Sequence, residues 1–172
     1  SSAESYLQAA ERPADYQDGD EFPADSAVTY TAVQAESQVS GFRSNKAVMT
    51  DLKEKTSYIY RVGNDEGWSD TYTFTTQEFG AGNSFSFLFA GDPQIGASGN
   101  SGEYDGFLSP DAIRSIPLAV NVGNHDNGNG RYTDYYNMPN LSSYGVSNNT
   151  GDGSGDYWFV YNGVLFMSIN SN

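Results

Sequence analysis

Gly123-Asn124-His125-Asp126 sets the chain's one histidine between an amide and a carboxylate, directly after the apolar run Ile116-Pro117-Leu118-Ala119-Val120-Asn121-Val122. An asparagine oxygen is a neutral ligand for a hard cation, and a histidine followed by aspartate makes an oriented proton donor. The leading glycine lets the backbone turn sharply. Together these types support metal-assisted hydrolysis of a phosphoester. They also satisfy an ordinary polar turn, since Asn, Asp and Gly are turn formers wherever a strand ends. A second acid stands in a comparable place: Phe85-Ser86-Phe87-Leu88-Phe89-Ala90 reads as a buried strand and runs into Gly91-Asp92-Pro93-Gln94. In open α/β sheets ligands gather outside the carboxyl ends of the strands, so Asp92 and Asn124 share one crevice if their strands are neighbours.

The elements that must position these residues can be read from pattern. Asp92 and Asn124 are 32 residues apart, and one parallel crossover with its helix takes about 30 residues. Glu103-Tyr104-Asp105-Gly106-Phe107-Leu108 and Asp111-Ala112-Ile113-Arg114 read as the helical and capping segments of that crossover. Upstream, the alternation in Tyr58-Ile59-Tyr60-Arg61-Val62 and Tyr72-Thr73-Phe74-Thr75 predicts half-buried antiparallel strands whose aromatics belong to a core. The glycines between Gln77 and Asn83 read as a linker. A β-sandwich uses about seven strands, and residues 1 to 77 offer about four or five. Ser1 to Glu21, rich in Ala, Asp, Glu and Gln, reads as a solvated insertion rather than an opening strand. Near the other end, Tyr157-Trp158-Phe159-Val160-Tyr161 and Val164-Leu165-Phe166-Met167-Ser168 flank Asn162-Gly163, the strongest two-residue hairpin signal.

With Gly-Asp-x-Gln and, downstream of it, Gly-Asn-His-Asp, the chain resembles the calcineurin-like metallophosphoesterase superfamily. Within it the chain is similar to the bacterial relatives of purple acid phosphatases that carry a fibronectin-III-like domain in front. Thr56 to Gly63, Gly67-Trp68-Ser69-Asp70 and Tyr72 to Thr76 are similar to the last strands of that leading β-sandwich. Tyr135-Tyr136-Asn137-Met138-Pro139 and the Tyr157 to Ser168 hairpin resemble the family's segments downstream of its Gly-Asn-His motif. The likeness spans roughly residues 45 to 172. It implies two parts, a partial fibronectin-III-like β-sandwich over 1–77 and a partial α/β (βαβ-layered) metallophosphoesterase catalytic domain over 84–172.

By this resemblance Asp92 ligates one of two metal ions and Asn124 the other, while His125 gives a proton to the leaving alkoxide or stabilises the transferring phosphoryl group. Asp126 orients His125. The implied cofactors are two divalent or trivalent ions of the Fe, Zn, Mn or Mg class. Gln94 stands where many members carry a ligand histidine, and the purple acid phosphatase branch also lacks one there. The resemblance further implies a bridging aspartate from a Gly-Asp motif between the two sites, and histidines from a later Gly-His-x-His. This chain has neither. Asp105 and Asp111 lie in the interval, on segments that read as helical. The Gly-Ala-Ser-Gly-Asn-Ser-Gly stretch at residues 96 to 102 is where a missing segment is expected; a simple flexible loop in a degenerate, inactive relative is the alternative.

Composition narrows the rest. Eight lysines and arginines against 22 acids leave a formal net charge of −14. Such a surface repels nucleic acid backbones and anionic membranes, and repels phosphate substrates unless bound cations reverse the local sign. No run reaches the roughly 20 apolar residues of a membrane-spanning helix. With no cysteine, disulfides and thiolate metal sites are excluded, and any metal site uses oxygen and imidazole. The acidic stretches Asp15 to Glu21 and Asp152 to Asp156 lack an EF-hand register and read as solvated loops. The expected function is metal-dependent hydrolysis of phosphomonoesters or phosphodiesters by an extracellular or cell-surface bacterial protein, inactive without the missing ligand motifs. The alternative is a noncatalytic adhesive or carbohydrate-binding surface module.

Overall fold

The structure of the protein is a computed structural model, and it describes residues 3–92, 95, 102–126, 132–142 and 156–170. It has two compact units. The first comprises Ser1–Ala35 and Asn45–Glu78, the second Glu36–Ser44 and Phe79–Asn172. The division after residue 77 read from the sequence therefore misses residues 36 to 44. Their hydrogen bonds explain why: the Ser37 hydroxyl and the Gln38 amide donate to Asp134 Oδ2 at 2.8 and 3.0 Å, and the Ser44 hydroxyl donates to the Asp134 carbonyl at 2.6 Å.

In the first unit β1 (Tyr6–Glu11) lies between β2 (Val28–Thr31) and a long later strand; β3 (Val33–Glu36) and β4 (Arg43–Lys46), each of which has residues of both units, pair in a separate two-stranded ribbon. The long strand is β5 (Ser57–Asn64); its other edge takes β7 (Tyr72–Thr75) and, at its far end, β6 (Gly67–Trp68). All pairings in this sheet are antiparallel. The stretch read as a solvated insertion thus contains a central strand. Leu7, Ala9 and Ala10 are buried there, and pairing on both edges overrides the low β-propensity of Ala, Gln and Glu. Strands in small sheets fit a β-sandwich, and β1 to β7 exceed the four or five strands expected.

Register explains how the two faces of the sheet are filled. Tyr58 opposes Phe74 with rings stacked at 5.4 Å, and Tyr60 opposes Tyr72 on the same face. On the other face Ile59, fully buried, opposes Ala10 and packs with Phe22. Arg61 lies between Phe22 and Trp68, its guanidinium 4.4 Å from each ring centroid, while Nε and Nη2 donate to Gln8 Oε1 at 3.0 and 2.8 Å. Gly63 cannot be replaced cheaply, because a Cβ there would stand 2.2 Å from the Gly67 carbonyl oxygen.

In the second unit β8 (Leu88–Gly91) pairs in parallel with β9 (Leu118–Asn121), and the crossover between them contains α1 (Glu103–Leu108) and α2 (Asp111–Ser115). β8 is shorter than the strand read from Phe85 onward. The rings of Phe85 and Phe87 instead pack edge-on against Tyr161, Phe159 and Phe166 of the last hairpin at 5.1 to 6.0 Å. After β9 comes α3 (Tyr132–Tyr135), and then the hairpin β10 (Tyr157–Tyr161) and β11 (Val164–Ser168). Tyr161 opposes Val164, and Asn162 and Gly163 both have positive φ, 46° and 80°, the primed turn that Asn-Gly predicts.

The core of this unit is Tyr104, Val120, Val122, Tyr132, Tyr136, Met138 and Tyr157, with Ile95. Tyr157 ties the hairpin to β9: its hydroxyl donates to the Val120 carbonyl at 2.6 Å and accepts the Val120 N–H at 2.9 Å. The hairpin's other face is exposed and apolar, carrying Trp158, Val160, Leu165 and Met167.

Candidate functional site

Parallel pairing in the register Gly91↔Asn121 sends both chains out of the sheet at one end. The Asp92 amide prolongs the ladder by donating to the Asn121 carbonyl at 3.3 Å. Asp92 itself is left-handed, with φ of 47°, a conformation that strains a non-glycine residue and gathers at functional positions. Its side chain lies flat against Gly123: a Cβ at that glycine would sit 2.0 Å from Asp92 Oδ1 and 2.3 Å from its Cγ. Gly123 serves this close approach rather than the sharp turn read from the sequence, since its φ is not positive.

The turn itself is closed by Asp126. Its Oδ2 accepts the Gly123 N–H at 3.0 Å, and its own N–H donates to the Gly123 carbonyl at 3.2 Å. At the apex Asn124 and His125 are exposed. Asp126 is 1% exposed, and burial pushes its carboxyl above the ordinary aspartate range. The Gly123 amide opposes that shift, the charge of Asp92 adds to it, and His125 and the Ile95 amide oppose it. The hydrogen bond that Asp126 Oδ2 receives thus comes from the Gly123 backbone.

Asp92 Oδ1 and Asp126 Oδ1 are both buried without a hydrogen-bond partner among the described residues. An acceptor-only oxygen in that state is costly unless a donor or cation meets it. Asp92 Oδ1, the Asn124 amide oxygen and the His125 imidazole are ligand types that suit a hard or borderline cation. Among the described residues, however, no group of three or more His, Cys, Asp or Glu could hold a metal ion.

Of the other acids, Asp105 lies on α1 and lines a separate cavity of about 190 Å³ with Arg43 and Asp134, and Asp111 is exposed in the first turn of α2. Gln94 and most of residues 96 to 102 and 152 to 156 lie outside the described residues. Tyr132 and Tyr136 belong to the site's surroundings without any motif to mark them, since the charge of Asp126 acts on both. Their i, i+4 spacing, across α3 and the residue after it, is the only signal of it in the sequence.

Residues 2–76 match the family model of the purple acid phosphatase N-terminal domain. No curated protein and no solved structure matches the chain. The match begins some forty residues before the likeness read from the sequence, because it includes β1, the strand whose composition disguised it. It covers less than half of the chain, and what it supports is a purple acid phosphatase-like family and, more broadly, a phosphatase.

Proposed function

We propose that the protein is a metal-dependent phosphoesterase of the calcineurin-like superfamily, in its bacterial purple acid phosphatase-like branch. It hydrolyses small phosphomonoesters or phosphodiesters outside the cell or at its surface. The observation that carries this reading is the Asp92 carboxylate lying against Gly123, one residue before Asn124, with a buried oxygen that no donor among the described residues meets. Asp92 and Asn124 are the ligands this chain offers to two different ions, and the ions, when bound, would supply Lewis acidity and a nucleophile near neutral pH. The chain's own contribution is positional. The β8–β9 register holds Asp92 and the Gly123–Asp126 turn at one sheet end, the turn presents Asn124, and His125 holds a proton beside the leaving group with the Asp126 charge behind it. A net charge of −14 makes substrate capture depend on cations.

The second reading, a noncatalytic surface module, is favoured by one observation, the incomplete ligand set among the described residues. Aryl phosphate hydrolysis with added Mn²⁺, Zn²⁺, Fe³⁺ or Mg²⁺ separates the two. The 172-residue chain should turn over poorly or not at all, and a chain carrying an added Gly-Asp motif and the later histidines should gain metal-dependent turnover. In that active form His125→Ala should lower turnover by roughly 10² to 10⁴ while metal stays bound, as for loss of a general acid. Asn124→Ala should weaken one ion. Loss of metal in the His125 variant would show that His125 is a ligand.

A further inference from the structure

A cavity of about 490 Å³ lies wholly within the first unit, between the sheet and the segment Thr50 to Lys53. Its size is that of a small-molecule site. Register explains the space. Ala9 opposes Val28 of β2, Leu7 opposes Tyr30, and Glu11 opposes Tyr58 of β5, so these side chains share one face of the sheet and the small Ala9 leaves a gap in it. The 50–53 segment is fastened to that face at both ends: Tyr30 Oη donates to the Thr50 carbonyl at 3.1 Å, and the Lys53 N–H donates to Tyr58 Oη at 2.9 Å. The Tyr58 ring is itself fixed by its stacking on Phe74.

The lining is divided in character. Ala9, Val28, Leu52 and the rings of Tyr30 and Tyr58 make an apolar wall, and both phenol hydroxyls are engaged by the backbone. Glu11, Asp51 and Lys53 bring charge, with Lys53 Nζ 2.5 Å from Glu11 Oε1. That ion pair is more than half exposed, and exposed pairs add little to stability.

We propose that this cavity binds a neutral saccharide through one pyranose ring. A sugar ring is amphipathic in the same way as the lining: its C–H faces suit the apolar wall and its rim of hydroxyls suits the charged groups. Two neighbouring hydroxyls match the Glu11–Lys53 pair, one donating to the carboxylate and the other accepting from the ammonium, whereas a phosphate or carboxylate group can only accept. Charged ligands fit worse. An anion meets two carboxylates against one ammonium in a chain of net charge −14, and an amine meets Lys53 beside the Glu11 carboxylate it would need. Neither Asp92 nor a metal takes part.

The test is an amide NMR titration of the 172-residue chain with the methyl glycosides of glucose, galactose, mannose and N-acetylglucosamine. At least one should bind in the millimolar range and shift the amides of Ala9 to Glu11, Val28 to Tyr30 and Thr50 to Lys53. Glu11→Ala and Lys53→Ala should each melt like the parent chain and weaken that binding about tenfold, the scale of one hydrogen bond to a charged group. No shift with any of the four sugars would overturn the proposal, and so would shifts centred elsewhere or full affinity in both variants. The methyl glycosides of glucuronic acid and glucosamine should bind more weakly than the neutral rings; tighter binding of either would overturn it in favour of an anion or a cation site. Aryl phosphate hydrolysis can fail while the saccharide result stands.

Discussion

Asp92 occupies the space that any side chain at position 123 would need. Gly123→Ala therefore has to displace the Asp92 carboxylate or open the β8–β9 ends, and overpacking of this kind costs about 1 to 3 kcal/mol. The expected result is a lower urea midpoint together with weaker divalent-cation binding; an unchanged midpoint would mean that Asp92 rotates away freely. The need for glycine is visible in the residue order, but its reason is not, because close approach depends on which strand lies alongside. Asp126 shows the same limit from the other side. Its place after His125 suggests a partner for the imidazole, whereas burial and the Gly123 amide decide what it holds. Tyr132 and Tyr136 are not legible as donors, since an unmet hydroxyl becomes apparent only once its surroundings are known.

At the scale of elements, the last hairpin is fully legible because its signal is local: two residues with positive φ between strands of matched length. β1 is not, since nothing in Tyr6-Leu7-Gln8-Ala9-Ala10-Glu11 favours a strand until two neighbours pair with it. The β8–β9 pair lies between these cases, its crossover predicted from spacing and its parallel register supplied by the fold. Tyr157 decides how the hairpin stays with β9. Tyr157→Phe leaves the Val120 N–H and carbonyl without their buried partner, and two unmet backbone groups cost about 2 to 4 kcal/mol together. Thermal melting should show that loss in the second unit, whereas Tyr161→Phe, which leaves the Val120 bonds intact, should melt like the parent chain.

For the whole molecule, charge and phenol burial set the conditions in which it survives. Burial holds the hydroxyls of Tyr132, Tyr136 and Tyr157 above their ordinary pKa of 10.0. A group whose folded pKa is raised in this way contributes stability that is whole below about pH 10 and is lost as pH rises through the folded values. The second unit, which contains all three, should therefore hold its structure to about pH 10 and loosen above it. Phenolate absorbance recorded against near-ultraviolet circular dichroism checks this. Ionisation of these tyrosines without loss of tertiary signal would show that the core admits charge.

The two tryptophans divide between the units. Trp68 lies against the Arg61 guanidinium in the first, and Trp158 stands on the open face of the hairpin in the second. Each unit thus carries its own fluorophore in a distinct medium, one shielded beside a cation and one in contact with water. Trp158→Phe leaves an emission trace of the first unit alone, and Trp68→Phe one of the second. Denaturant curves from the two variants should have separate midpoints, with the Trp158 signal starting red-shifted and moving little. Coincident curves would instead mean that a single cooperative transition couples the β-sheet carrying Arg61 to the fold that holds Asp92.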